Sequence, residues 1–167
     1  MQLMRLKNNV WIREMMSETE FTTAHLIQPL FVVEGLKDKT ELKGLDGNFR
    51  WPVADIHRQV EADIRQGVRH FLLFFVPKEK RLENFQLDFA QKVLRELKEK
   101  FGKDAFFWVD TCLCSFTEHG HCCLFSSKDQ LDIEKSLQEL ARSSLAYAQA
   151  GADGISPSDM MDGRTKA

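Results

Sequence analysis

All four cysteines of this sequence lie in one stretch, "DTCLCSFTEHGHCC", from Asp110 to Cys123. The stretch also holds two of the five histidines, His119 and His121, and two carboxylates, Asp110 and Glu118. Three roles compete for such a cluster: a disulfide, a metal site, or small apolar side chains packed beside a turn. Cys112 and Cys114 are too close in sequence to bridge comfortably, and Cys122 and Cys123 are adjacent. The remaining pattern is Cys-x-Cys-x7-Cys, with Gly120 inside the seven-residue excursion. Thiolates are soft donors that favour zinc over magnesium. Three protein ligands with one open position is the arrangement of catalytic zinc, whereas structural sites usually close with four. Cys-x-Cys is not a common zinc spacing, so spacing by itself leaves the packing role open.

The neighbouring polar residues divide in the same way. His119 reads as a solvated loop histidine. His121, beside Cys122, is the better candidate for a second, partner-dependent metal contact. Asp110 either caps a strand end or faces an active site, as carboxylates at the C-terminal ends of barrel strands often do. Ser158 and Asp159 sit at the end of a later strand, and on spacing alone they read as N-caps of whatever follows.

The elements that must position these residues alternate. "PLFVVEG" from Pro29, "HFLLFFV" ended by Pro77, "AFFWVDTC" and "DGISPS" read as four strands. If the third strand continues far enough, Asp110, Cys112 and Cys114 share one face. Helices fall between the strands. "VADIHRQVEADIRQG" carries Ile56, Val60 and Ile64, with Gly67 at its end. "NFQLDFAQKVLRELKEKFG" carries Phe89, Ala90, Val93, Leu94, Leu97 and Phe101 on one face. "DIEKSLQELARSSLAYAQAG" carries a predicted apolar stripe of Ile133, Leu137, Leu140, Ala141 and Ala148, with Gly151 at its end. Such alternation implies right-handed crossovers and a parallel sheet covered by helices. The glycine fingerprint of dinucleotide folds is absent. A closed (β/α)8 barrel needs eight units and about 250 residues, so four units make the first half of one. Residues 1–28 are mixed and polar, and read as an N-terminal arm; residues 29–167 form the partial barrel.

Composition narrows the functional classes. The chain has 167 residues, 43% hydrophobic and 29% charged, with a net charge of −2. Nothing in that balance suggests nucleic acid or an anionic membrane as a partner. "FLLFFV" is too short to span a bilayer, and the N-terminus has no secretory apolar core. A cytoplasmic location is the expectation, and there clustered thiols are more often ligands or reactive groups than disulfides.

Three segments resemble one family in that family's own order. "DTCLCSFTEHGHCC" resembles the zinc-binding segment of the porphobilinogen synthases, also called delta-aminolevulinic acid dehydratases. "AYAQAGADGISPSDMMDGR" is similar to the signature before that family's fifth barrel strand, and "IREMMSETEFTTAHLIQPLFVVEG" to its N-terminal segment. The resemblance implies a (β/α)8 barrel whose N-terminal arm embraces a neighbour in a homo-oligomer, commonly an octamer. It implies condensation of two 5-aminolevulinate molecules to porphobilinogen, with loss of water, in tetrapyrrole and haem biosynthesis. Cys112, Cys114 and Cys122 match the three ligands of the catalytic zinc, and His121 matches a ligand of a second zinc site found in part of the family. Asp110 and Ser158 match residues around the amine and the leaving hydroxyl, and Asp159 belongs to the same motif.

There are departures. Cys123 stands where a glycine or another small residue is usual, "SFT" places Phe116 where a tyrosine-containing version occurs, and "LDGNFRWPV" matches only loosely. The family forms Schiff bases with two lysines on later strands, and a Schiff-base lysine is its central nucleophile. Lys166 follows the signature too closely to be either. The chain therefore reads as truncated before those lysines and is expected to be inactive alone. A non-catalytic zinc-binding or oligomer-interaction remnant of the family is the alternative, and a thiol redox protein is a third reading.

Overall fold

The computed structural model describes residues 5–126 and 130–166. Residues 1–4 of the expected arm and Ala167, at the end of the last motif, lie outside the described residues. The elements in chain order are α1 (Val10–Met15), β1 (Ile27–Val33), β2 (Thr40–Glu41), β3 (Phe49–Pro52), α2 (Val53–Arg65), β4 (His70–Val76), α3 (Asp88–Phe101), β5 (Phe106–Thr111), β6 (Leu124–Phe125), β7 (Leu131–Asp132), α4 (Ile133–Gln149) and β8 (Gly154–Pro157), with short 3-10 turns at 5–7, 23–25 and 164–166.

One six-stranded sheet runs in the order β2-β3-β1-β4-β5-β8. Within it β1, β4, β5 and β8 are neighbours in chain order and all parallel, as half of a (β/α)8 barrel requires. The sheet does not close, and among the described residues β8 pairs on one side only. Alternate side chains of each strand face the helices. Leu30 and Val32 of β1, Phe71, Leu73 and Phe75 of β4, and Phe107 and Val109 of β5 are buried against Ile56 and Val60 of α2 and Val93, Leu94 and Leu97 of α3. Each such fully buried side chain contributes roughly 1.5–3 kcal/mol by leaving water. The other sheet face carries its own aromatic contacts, Phe31 on Phe74 at 4.6 Å and Phe106 on Trp108 at 4.8 Å between ring centroids.

Two features differ from the sequence expectation. The segment 40–52 folds as a hairpin whose second strand, β3, pairs in parallel with β1. Gly44 and Gly47 supply the turn, with φ of 83° and 78°, a region glycine enters without steric cost. The apolar stripe of α4 is also not the one predicted. Ile133, Ala141 and Ala148 are exposed and Leu137 is half-buried, while Ser136, Leu140, Ser143 and Tyr147 form the buried face. The serines tolerate burial where their hydroxyls find partners. Ser136 Oγ donates to the Asp132 carbonyl at 2.5 Å and accepts the Leu124 N–H at 2.8 Å. Tyr147 fixes the rotation of the helix by packing against Phe75, 6.0 Å between centroids.

The last strand is held in place by one carboxylate and one missing side chain. Asp153 accepts the Phe107 N–H at 2.8 Å and binds Lys98 Nζ at 2.7 and 2.8 Å, tying α3, β5 and the start of β8 together. Trp108 lies opposite Gly154 in the β5–β8 register. A Cβ built on Gly154 would sit 2.3 Å from the Trp108 ring, so only glycine fits without displacing the indole. Gly154→Ala is expected to cost about 1–3 kcal/mol of unfolding free energy, read by urea denaturation. A neutral substitution would show that β8 does not need this close approach.

Candidate metal centre

The chain leaves β5 at Thr111, and the cysteine loop begins at once. Extended backbone does not continue to Cys114, so strand alternation is not what aims that side chain. A tight turn does so instead: Phe116 and Thr117 N–H both donate to the Leu113 carbonyl, at 2.9 and 3.0 Å. Leu113 and Phe116 are buried, and Phe116 packs on Phe85 at 5.6 Å. Arg81 N–H donates to the Phe116 carbonyl at 2.9 Å, which pins the outgoing limb. Gly120 (φ 73°) reverses the chain, and Thr117 Oγ1 donates to the His121 carbonyl at 2.9 Å, closing the excursion. Beyond it, the bond from Leu124 N–H to Ser136 and the short β6–β7 pairing anchor the returning limb to α4.

This path brings together the thiols of Cys112, Cys114 and Cys122. Their sulfur atoms lie within 4.8 Å of one another. Tetrahedral zinc with Zn–S bonds of about 2.3 Å sets its sulfurs roughly 3.8 Å apart, a separation that falls inside the limit of 4.8 Å within which these sulfurs lie. Cys112 is buried, and Cys114 and Cys122 are half-buried. All four cysteines are free thiols. Cys123 is buried beside the group without belonging to it.

The cluster holds its charge unevenly. Cys114 is lowered to about 6, first because the Cys112 thiol donates to it, with Cys122 and Ser115 also donating. Burial and the Asp110 carboxylate oppose this shift. Cys112 is pushed far up, because it keeps the proton that it shares with Cys114 and because it is buried. Cys122 is raised chiefly by burial. One thiolate is thus cradled by two thiols, and a cation entering the group would take the place of the shared protons.

Carboxylates and hydroxyls of β5 and β8 adjoin the cluster. Asp110, opposite Ser156 in the sheet, is half-buried. Burial raises its carboxyl, and a hydrogen bond with the Ser158 side chain partly offsets that. Asp159 has a side chain with 0% exposure. Its Oδ1 accepts the Met161 N–H at 2.6 Å, and its Oδ2 lies 3.2 Å from Arg164 Nε. Its charge acts on both Cys122 and Cys123, disfavouring their thiolates. His121 stands apart, exposed on the outer side of the loop. Its ring stacks on His119 at 5.2 Å and meets Phe125 edge-on at 5.8 Å. Arg164 was not singled out by the sequence. Its side chain is only 3% exposed, and its charge favours the thiolate of Cys123. It ends the motif "AYAQAGADGISPSDMMDGR", but nothing in that pattern predicts its burial.

Comparison with known proteins places this geometry. The family model described as delta-aminolevulinic acid dehydratase matches residues 1–167. Delta-aminolevulinic acid dehydratase of Methanothermus sociabilis is 36% identical over 99% of this chain and 52% of its own length. That of Ruminiclostridium josui is 36% identical over 98% of this chain and 80% of its own length. The Bos taurus protein is 36% identical over 89% of this chain and 47% of its own length. The chain therefore spans about half the length of most of these relatives. The crystal structure of delta-aminolevulinic acid dehydratase (porphobilinogen synthase) from Toxoplasma gondii, solved with the reaction product porphobilinogen, superposes with a TM-score of 0.80. It is 24% identical, covering 98% of this chain and 48% of that one, which shows a shared fold. No helix among the described residues is long and apolar enough to cross a membrane. With a family match along its whole length and a half-barrel that follows the solved fold, this chain belongs to the delta-aminolevulinic acid dehydratase, or porphobilinogen synthase, family.

Proposed function

We infer that these 167 residues form the metal-binding half of a zinc-dependent porphobilinogen synthase, which joins two 5-aminolevulinate molecules with loss of water. The observation that carries this reading is the convergence of three sulfurs within 4.8 Å, just beyond the C-terminal end of β5. That end of a parallel barrel is where active sites are built. Cys112, Cys114 and Cys122 would hold Zn²⁺, leaving a fourth position for substrate. The metal supplies Lewis acidity toward a substrate carbonyl. Asp110, whose carboxyl the Ser158 side chain helps to lower against the effect of burial, and Ser158 itself line the pocket around the amine and the leaving hydroxyl. Asp159, of the same motif, is assigned to substrate binding with them. His121, exposed on the loop, is free to contribute to a second zinc site with a partner cysteine outside these residues.

Assembly follows from the same reading. Trp11, Met15 and Phe21 are each more than 70% exposed in the segment before β1. Apolar side chains of that size call for cover, and an arm laid over a neighbouring subunit of a cytoplasmic homo-oligomer, an octamer in this reading, would supply it. The two Schiff-base lysines that the family resemblance calls for belong to strands later than β8. Residues 1–167 by themselves would then bind metal without completing the covalent chemistry. A remnant that binds zinc or partners but serves no synthase is the competing reading, supported by the thiol set being complete in this half.

Two outcomes test the proposal. Each of Cys112→Ser, Cys114→Ser and Cys122→Ser should weaken zinc retention by roughly 100-fold or more, beyond the 10–100-fold typical of residues that only support a ligand. Cys123→Ser should leave it unchanged. Metal analysis after dialysis against a chelator reads both, and loss of zinc on Cys123→Ser would contradict the ligand assignment. The zinc-loaded 167-residue chain given 5-aminolevulinate should form no porphobilinogen by colorimetric assay, and its appearance would overturn the division of labour between the two halves.

A further inference from the structure

Arg164 and Asp159 form a buried ion pair beside the thiol cluster. The two side chains are 3% and 0% exposed, and their closest atoms, Nε and Oδ2, are 3.2 Å apart. Among the described residues, Nε, Nη1 and Nη2 of Arg164 and Oδ2 of Asp159 all lack a hydrogen-bond partner, so the pair is a contact of charges and not a hydrogen bond. Asp159 is thus the guanidinium's one close anionic partner there. The Asp159 carboxylate, for its part, accepts the Met161 N–H on Oδ1, while Oδ2 faces only the charge of Arg164.

Carboxylate oxygen is a good zinc ligand, and a fourth protein ligand turns an open site into a closed one. The β5–β8 register sets Pro157 beside Thr111 and so brings Asp159 and the cysteine loop to the same end of the sheet, where its charge acts on Cys122, yet its oxygens stand outside the mutually close group of the three sulfurs. A buried carboxylate stripped of its cation is costly and must either take a proton or find another positive charge. The nearest replacement would be the metal. We propose that Arg164 is a positioning residue that holds Asp159 off the metal and so keeps the fourth coordination position exchangeable. This rests on the three-thiolate reading of the site.

The test uses the chain loaded with Co²⁺ in place of zinc, whose visible spectrum reports its ligands, titrated with azide. Wild type should bind azide at the open position with a shift of the bands. Arg164→Met removes the charge while keeping an unbranched chain of similar reach. Its azide affinity should fall roughly tenfold or more, because azide then competes with a tethered carboxylate at an effective concentration in the mM range. Arg164→Met combined with Asp159→Asn should recover wild-type azide binding, and Arg164→Lys should stay close to wild type. An unchanged azide titration in Arg164→Met, or no recovery in the double variant, overturns the proposal. Should Arg164→Met fail to fold, Arg164→Gln takes its place, alone and combined with Asp159→Asn, with the same expected fall and recovery of azide affinity. If wild type binds no cobalt, the three-thiolate reading falls and this inference with it. Cobalt binding with Arg164→Met indistinguishable from wild type removes this inference alone.

Discussion

Parallel strands must end on the same side of their sheet, and the thiol cluster meets the Ser158–Asp159 turn because β5 and β8 do so as neighbours. The pairing sets Asp110 against Ser156 and Thr111 against Pro157, so the cysteine loop and the Ser158–Asp159 turn leave the sheet at one level. The pairing is demanding. Trp108 occupies the space where a side chain on Gly154 would go, and Asp153 bridges to both Phe107 and Lys98 before β8 begins. Without that contact between strands, the thiols and the Asp159–Arg164 pair would belong to unrelated surfaces.

Charge is then distributed over a small volume. Two protonated thiols donate toward Cys114, burial keeps Asp110 raised with Ser158 as its partner, and Arg164 faces Asp159. Three thiolates and two carboxylates unrelieved in one half-buried pocket would repel one another strongly. Shared protons relieve this in the metal-free chain, and a divalent cation would relieve it on binding. The chemistry of the site and the stability of its loop are in this sense the same electrostatic problem.

Much of this was legible in the sequence, and the exceptions have physical reasons. Runs such as "HFLLFFV" are apolar on both faces, as strands of parallel sheets are, so their type and position were readable. The three thiols could be grouped by spacing and by resemblance. The face of α4 could not, because Ser136 and Ser143 look polar in the sequence, and Ser136 is buried through hydrogen bonds that only the fold provides. The aim of Cys114 depends on a turn closed by the Leu113 carbonyl rather than on strand alternation. The β2–β3 hairpin is built from strands of two and four residues, too short for a periodic signal. Arg164 is buried opposite Asp159, a placement that no local pattern encodes.

The central claim is an open centre of three sulfurs from Cys112, Cys114 and Cys122. X-ray absorption at the zinc edge of the zinc-loaded chain tests it most directly. The account predicts three sulfur scatterers near 2.3 Å and one shorter oxygen or nitrogen scatterer. Four sulfurs, with Cys123 drawn in, or a shell of oxygen and nitrogen alone, would contradict it.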